Sequence, residues 1–320
     1  MPEKTKPQLP SVNSRNPNIH EVHKLARSCE DEILKRQLPE GGWGFGTSRQ
    51  WVTETTSLAL LALRLQPSAV YARGVEFLLR CQNSNGSWPA FAGDDHEGSW
   101  VTALAVIALI HSDSNWKAIE KGVSWLLKTQ GRESHWLMKW RYVTVDRKVR
   151  FDPEKYGWPW TIGASSWVVP TSYSLIALRH YFTCCLPEAA KLRLKKGTAM
   201  LFDRGCPGGG WNAGNGVVYG VPLKPHVDVT CLALLALLPQ KDHAFVKTSL
   251  QWLQLQSEAV SSIYSLSWMA MALAAHQQPV ELIMKKVIQL YTQRGINQDS
   301  QTLALNRIAA QVADGANPFR

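Results

Sequence analysis

Three titratable side chains stand out because each precedes a threonine that opens an apolar run. Thr56, Thr102, Thr171 and Thr230 begin TSLALLAL, TALAVIAL, TSYSLIAL and TCLALLAL. Two positions before these threonines stand Glu54, Trp100, Val169 and Asp228, and four positions before them Val52, Gly98, Trp167 and His226. Only Glu54, Asp228 and His226 bring groups that exchange protons. Two carboxyls at equivalent positions of a repeat have the composition of an acid/base pair. A carboxylate at a helix start also has a structural use, capping free N–H groups or pairing with the helix dipole. Both readings stand. The aromatics Trp51, Trp100, Trp167, Tyr173, Tyr219 and Tyr264 lie at or near the same starts, where they offer π faces to cations or fill the core.

The elements that must hold these residues repeat along the chain. Each threonine leads a run apolar on nearly all sides, which is the signature of a fully buried helix. A second frame precedes the runs: Arg73-Gly74, Phe77-Leu78, Gln82, Gly86, Trp88, and again Lys121-Gly122, Trp125-Leu126, Gln130, Ser134, Trp136. A further copy has Lys196-Gly197, Met200-Leu201, Gly209 and Trp211, with Gly205 in place of Gln, and Gln37, Gly41 and Trp43 carry the turn portion once more. LSWMAMAL, ending at Leu273, and TLALNRIA, from Thr302, are weaker copies of the apolar run. The pattern reads as stacked hairpins of one amphipathic outer and one apolar inner helix. Inner helices this apolar cannot face a broad solvated groove. The expected fold is therefore all-α, an α/α toroid of five to six helical hairpins over residues 21–320, behind a proline-rich disordered tail at 1–20. In the turns, Gln satisfies helix-end groups, Gly permits the turn and Trp packs over it.

A basic insertion at about 137–165 interrupts the repeat, and its KWRYVTVDRKVR stretch reads as a β-hairpin. Its Lys139, Arg141 and Arg147 are candidates to draw an anionic head group or an anionic membrane to the cavity mouth. Asp94-Asp95-His96-Glu97 sits in a Gly-rich loop and reads as a solvated turn. The net charge of +10 comes without a long Lys/Arg block, so no nucleic-acid partner is expected. Six cysteines without a paired spacing suggest neither a zinc finger nor a disulfide framework. With no signal-peptide pattern and no uninterrupted apolar span, a cytoplasmic protein is expected, at most peripheral to a membrane. Fourteen tryptophans in a chain of modest aromatic content point to a large core or a lined pocket.

The frame [K/R]-G-x-x-[aromatic]-L-x-x-x-Q-x-x-x-G-x-W, carried by Arg73 to Trp88, resembles the QW repeat of squalene and oxidosqualene cyclases. GGWG at Gly41 to Gly44 and the TxLAxxAL units are similar to the wider group of terpene cyclases and protein prenyltransferase β-subunits, over roughly residues 30 to 310. The resemblance implies an isoprenoid ligand and a class II, protonation-initiated cyclisation. Cyclases of that type carry D-x-D-D-T, whose middle Asp protonates an alkene or epoxide. Here His226-Val227-Asp228-Val229-Thr230 keeps the middle Asp and the Thr, with His and Val replacing the outer aspartates. Asp228 is thereby implied as proton donor, with His226 supporting it. Prenyltransferase relatives hold zinc with Asp, Cys and His. Asp228, Cys231 and His226 come from one helix start and no D-x-C pair accompanies them, so no metal is expected. Magnesium enters only with a diphosphate substrate. The resembling cyclases enclose their pocket between two toroids, so a homodimer or second subunit is the expected means of closing this one. A non-catalytic lipid- or partner-binding toroid and an (α/α)6 carbohydrate-active enzyme remain the competing readings.

Overall fold

The computed structural model describes residues 19–46, 48–66, 68–94, 97–113, 115–144, 151–294 and 298–320. The tail up to residue 18 lies outside the described residues, as do Asp95, His96 and Arg147. Thirteen α-helices run in chain order among the described residues: α1 (Ile19–Lys35), α2 (Thr53–Leu63), α3 (Ala69–Arg80), α4 (Val101–His111), α5 (Trp116–Lys128), α6 (Trp136–Thr144), α7 (Val168–Tyr181), α8 (Glu188–Asp203), α9 (Val227–Ala236), α10 (Ala244–Leu255), α11 (Ile263–Ala275), α12 (Glu281–Arg294) and α13 (Ser300–Ala313). A short antiparallel pair, β1 (Val217–Val218) and β2 (Val221–Pro222), precedes α9.

The outer helices bury one stripe each. In α1 the stripe is Val22, Leu25, Ala26, Cys29 and Ile33, at helical spacing. The inner helices bury nearly everything: in α2 every residue but Glu54 is buried, and in α9 every residue from Val229 to Ala236. Such segments cannot lie at a surface, and they close on themselves. The contacts run α2, α4, α7, α9, α11, α13 and back to α2, making a ring of six. Outside it, α3 packs on α2, α5 on α4, α8 on α7, α10 on α9, α12 on α11 and α1 on α13. The chain is an α/α toroid of six hairpins, at the upper end of the expected number.

Four tryptophans clamp the hairpins. Trp43, Trp88, Trp158 and Trp211 are fully buried. The backbone N–H of each donates to a threonine hydroxyl in the first turn of an inner helix, Thr56 (3.0 Å), Thr102 (3.0 Å), Thr171 (2.9 Å) and Thr230 (2.9 Å). Each indole Nε1 donates to an outer-helix carbonyl, that of Ile33, Leu78, Leu126 or Leu201. Burial contributes on the order of 3 kcal/mol per ring, and each hydrogen bond about 1 kcal/mol net. The threonines thus open the inner helices because their hydroxyls receive the tryptophan backbone. Gln37 and Gln82 donate to their own turn at Gly41 and Gly86 and to the next outer helix at Val70 and Ala118. Gly86 is fixed by space as well as by its φ of +94°: a Cβ there would lie 2.5 Å from the Lys121 carbonyl oxygen.

The insertion departs from the sequence reading in two ways. Trp136, which the repeat frame aligns with Trp88, is 71% exposed; the inserted residues carry the clamp on to Trp158. Gln130 is exposed too. Arg193 of α8 replaces it, donating to Thr129 and Gly157 carbonyls with its guanidinium 3.9 Å above the Trp158 ring. The stretch read as a β-hairpin is helical from Lys139 to Thr144 within α6. Trp136, Leu137 and Trp140 share a helical face, and that period overrides the apparent alternation.

Candidate functional site

The residues that enter the ring at its N-terminal end are set by stitching between loops. Val52, just before α2, bridges to Phe91 in the loop entering α4, and Ser99 of that loop bridges to Thr161 in the loop entering α7. Val168 then donates to the Ala213 carbonyl ahead of α9. The inner helices therefore begin at one level. Their second residues line one axial cavity of about 290 Å³: Glu54 of α2, Val169 of α7, Asp228 of α9, Tyr264 of α11 and Gln301 of α13, with Trp100 at the N-cap of α4. One turn deeper, at i+4, come Tyr173, Leu232 and Trp268. Trp160, from the loop before α7, completes the aromatic side. Trp100 meets Trp160 edge-on at 5.0 Å and Tyr173 at 5.5 Å, and Tyr173 meets Trp268 at 6.3 Å.

Two carboxyls enter this wall under different conditions. Glu54 accepts a 2.6 Å hydrogen bond from Gln301 Nε2. Burial pushes its pKa up from 4.5 to about 7, the Asp299 charge adds to the rise, and the Gln301 bond opposes it. Asp299 itself is committed to capping α13, accepting from the N–H and hydroxyl of Thr302. Asp228 sits in the first turn of α9, where the N-cap is His226. Among the described residues its carboxylate accepts no hydrogen bond and forms no ion pair, so it caps nothing and is held only by the favourable end of the helix dipole. Burial, with the charges of the neighbouring acids, raises the phenols of Tyr173 and Tyr264, so both remain protonated.

Of the candidates read from the sequence, Glu54, Asp228, Trp100, Tyr173 and Tyr264 come together in the cavity. The others do not. His226 is exposed and makes no hydrogen bond to Asp228 among the described residues; side chains two apart at a helix start do not face each other. Trp51 packs edge-on against Phe77. Trp167 is half-exposed at the N-cap of α7, and Tyr219 is 70% exposed in the β1–β2 turn. Lys139 pairs with Glu154 at 2.7 Å, and Arg141 points to solvent on α6. Arg147 lies outside the described residues. Trp160, Trp268 and Gln301 were not anticipated. Trp268 was within reach, since it follows Tyr264 by one helical turn. Among the described residues no three His, Cys, Asp or Glu side chains gather as a metal site, and Cys231 is fully buried in α9, where desolvation raises its thiol well above the usual range.

Fold and cavity together describe an α/α toroid whose axis holds carboxyls against an aromatic wall. No protein-family model matches the chain. Protostadienol synthase A from Arthroderma gypseum is 29% identical over 136 residues, which are 37% of this chain and 18% of that protein, so the match spans well under two thirds of the relative. The type II terpene cyclase MstE from Scytonema superposes with a TM-score of 0.60 at 12% identity, covering 94% of this chain and 100% of that one. A variant of that cyclase in complex with geranylgeranyl dihydroxybenzoate gives 0.56 at 15%, covering 87% and 80%. An alpha-amylase from Clostridium perfringens gives 0.64 at 10%, covering 90% and 98%. At these identities the superpositions speak to the fold, which cyclase and amylase share. The sequence match adds what the fold leaves undivided, and the two together support the resemblance to the terpene cyclase-like superfamily.

Proposed function

We propose that the chain is a class II isoprenoid cyclase-like protein that holds a polyprenyl chain in its axial cavity and starts cyclisation by protonation, with Glu54 as the acid in the role that the resemblance implies for Asp228, and Asp228 as the second carboxyl. One observation carries the proposal: a carboxyl pushed up to about 7 faces a cavity walled by Trp100, Trp160, Tyr173, Tyr264 and Trp268. At pH 7 such a group keeps its proton in about half of the molecules, where an ordinary glutamic acid has lost it. The proton passes from Glu54 to an alkene carbon or epoxide oxygen of the ligand, and positive charge develops on the adjacent carbon. The aromatic faces and the Asp228 carboxylate stabilise that charge, while the Gln301 amide stabilises the carboxylate left on Glu54. A volume of about 290 Å³ lies at the floor of the range for ligand sites, so the cavity receives the reacting end of a chain and the rest extends through its mouth. A second subunit or second copy is the proposed cover for that mouth. Magnesium is needed only for a diphosphate substrate.

The variant cyclase in complex with geranylgeranyl dihydroxybenzoate supports this choice of ligand class. A second reading, a lipid-binding toroid without turnover, is favoured by the isolation of Asp228 where the resembling cyclases have three aspartates. Incubation of the purified protein with squalene and with geranylgeranyl diphosphate, followed by mass spectrometry of extracts, separates the two. Cyclised product lost by at least about 100-fold in Glu54→Gln supports the first. Ligand recovered unchanged from wild type and variant alike supports the second. Turnover of an oligosaccharide in place of either lipid would discard both.

A further inference from the structure

We propose that the segment following α13, residues 314–320, is a plug that sets the depth of the axial cavity, with Phe319 as the residue that determines how long an apolar chain the cavity accepts. The choice of an isoprenoid as that chain rests on the function proposed above; the plug itself does not.

Phe319 is fully buried, yet it belongs to no helix. Its ring lies 5.2 Å from Trp268 and 6.3 Å from Tyr173, the two aromatic residues that line the cavity one turn below its carboxyls. Trp268 and Tyr173 are thus the visible floor, and Phe319 holds them up from beneath. The segment is tied to the C-terminal halves of four different inner helices. Arg64, which ends α2, donates to the Ala316 carbonyl at 2.7 Å. His111 of α4 donates through Nε2 to the Pro318 carbonyl at 2.9 Å. Arg179 of α7 donates to the Phe319 carbonyl at 3.0 Å. Asn317 in turn donates to the Met271 carbonyl of α11 at 3.0 Å, and its side-chain oxygen accepts from the Phe319 N–H at 3.1 Å.

Six helices packed at interaxial distances of about 8–10 Å leave an axial space that side chains must fill. At one end of this ring the space is the cavity. At the other, the chain brings in an aromatic ring from outside the helices and fixes its backbone by hydrogen bonds to four of them. Depth is what such an arrangement controls, because each CH₂ that a ligand carries inward past the carboxyls needs apolar volume below Tyr173 and Trp268, and Phe319 occupies it.

The test uses a homologous series of n-alkanols as a depth gauge, with farnesol and geranylgeraniol in parallel, binding to the full chain being measured by calorimetry. In the wild type, affinity should rise about fourfold per added CH₂ and then stop rising at a cut-off length. Phe319→Ala should move the cut-off to longer chains by several carbons, Phe319→Leu by fewer, and Phe319→Trp to shorter ones, each variant being checked for retained helicity by circular dichroism. Should Ala fail to fold, the Leu and Trp variants carry the comparison. A cut-off that stays put in folded variants overturns the plug, and so does a wild type that shows no length dependence. A moving cut-off without isoprenoid binding leaves the plug standing and counts against the proposed ligand class; isoprenoid binding with a fixed cut-off does the reverse.

Discussion

At the N-terminal end of the inner-helix ring carboxyls face a cavity, whereas at the C-terminal end basic side chains meet carbonyls. Glu54 and Asp228 occupy the first end. Arg64, His111, Arg179, His180 and His276 occupy the second. The helix dipole favours this sorting at both ends. What differs is how much of each end the fold itself uses. Arg179 donates to Leu235, Ala236 and Phe319 carbonyls, His276 bonds to Leu234, and burial holds His276 below the usual histidine range and His180 near 4. These groups complete helix ends and stay in one protonation state near neutrality. Glu54 and Asp228, by contrast, satisfy no backbone group, and Glu54 titrates near neutrality. Groups left unused by the fold are the ones available to a ligand.

The contrast breaks most readily at the basic end. Arg179→Ala would strand three carbonyls and should cost about 3 kcal/mol in urea unfolding at pH 8. A cost under about 1 kcal/mol would show that water replaces the guanidinium and that this end is not built as described. Glu54→Gln tests the acidic end and has the opposite sign. The folded-state pKa of about 7 exceeds the reference 4.5, so the folded chain binds the extra proton between these values. That stability is fully present below pH 4.5 and is lost as pH rises through 7. The variant should therefore match the wild type at pH 4 and exceed it by about 1–3 kcal/mol at pH 8. A pH-independent difference would remove Glu54 from the account. Asp228→Ala and Asp228→Asn should differ by less than about 0.5 kcal/mol in thermal unfolding, because the carboxylate caps nothing; a gap of about 1 kcal/mol in favour of Asn would make it a cap after all. Smallest of all, Tyr219→Ala should stay within about 0.5 kcal/mol of wild type and leave ligand binding unchanged, since the side chain lies outside the cavity.

The acidic end was the more legible of the two in the sequence. Counting two residues back from Thr56, Thr102, Thr171 and Thr230 reaches Glu54, Trp100, Val169 and Asp228, all of which line the cavity. The rule works because the threonine hydroxyl is pinned by a tryptophan backbone, which holds the residue two before it at the cavity, even in α4, where that residue is the N-cap. It fails at the last hairpin: α13 begins at Ser300, so the cavity residue Gln301 directly precedes Thr302 rather than standing two before it. Trp158 was hidden because the insertion pushed it far from Gln130, where Trp136 offered a false match. His226 and Tyr219 were near helix starts in sequence but are turned outward, since nearness along the chain does not specify direction at an N-cap or in a turn. The other end gave almost no signal. Arg64 and Arg179 do recur, each directly after the last leucine of TSLALLAL and TSYSLIAL, but a basic residue after an apolar run does not show which carbonyls it will meet, and Phe319 acts from a segment without periodicity.

The central claim is that the fold keeps one carboxyl protonated near neutrality beside an aromatic wall, and titrating that carboxyl tests it most directly. Protein carrying ¹³C-labelled glutamate carboxyls, with the Glu54 resonance assigned by its loss in Glu54→Gln, should show that one signal shifting with a midpoint near pH 7, above the ordinary glutamate range of about 4.3. A midpoint in that ordinary range would mean that Glu54 is a solvated carboxylate at neutral pH, and the account of the cavity as an acid site would be contradicted.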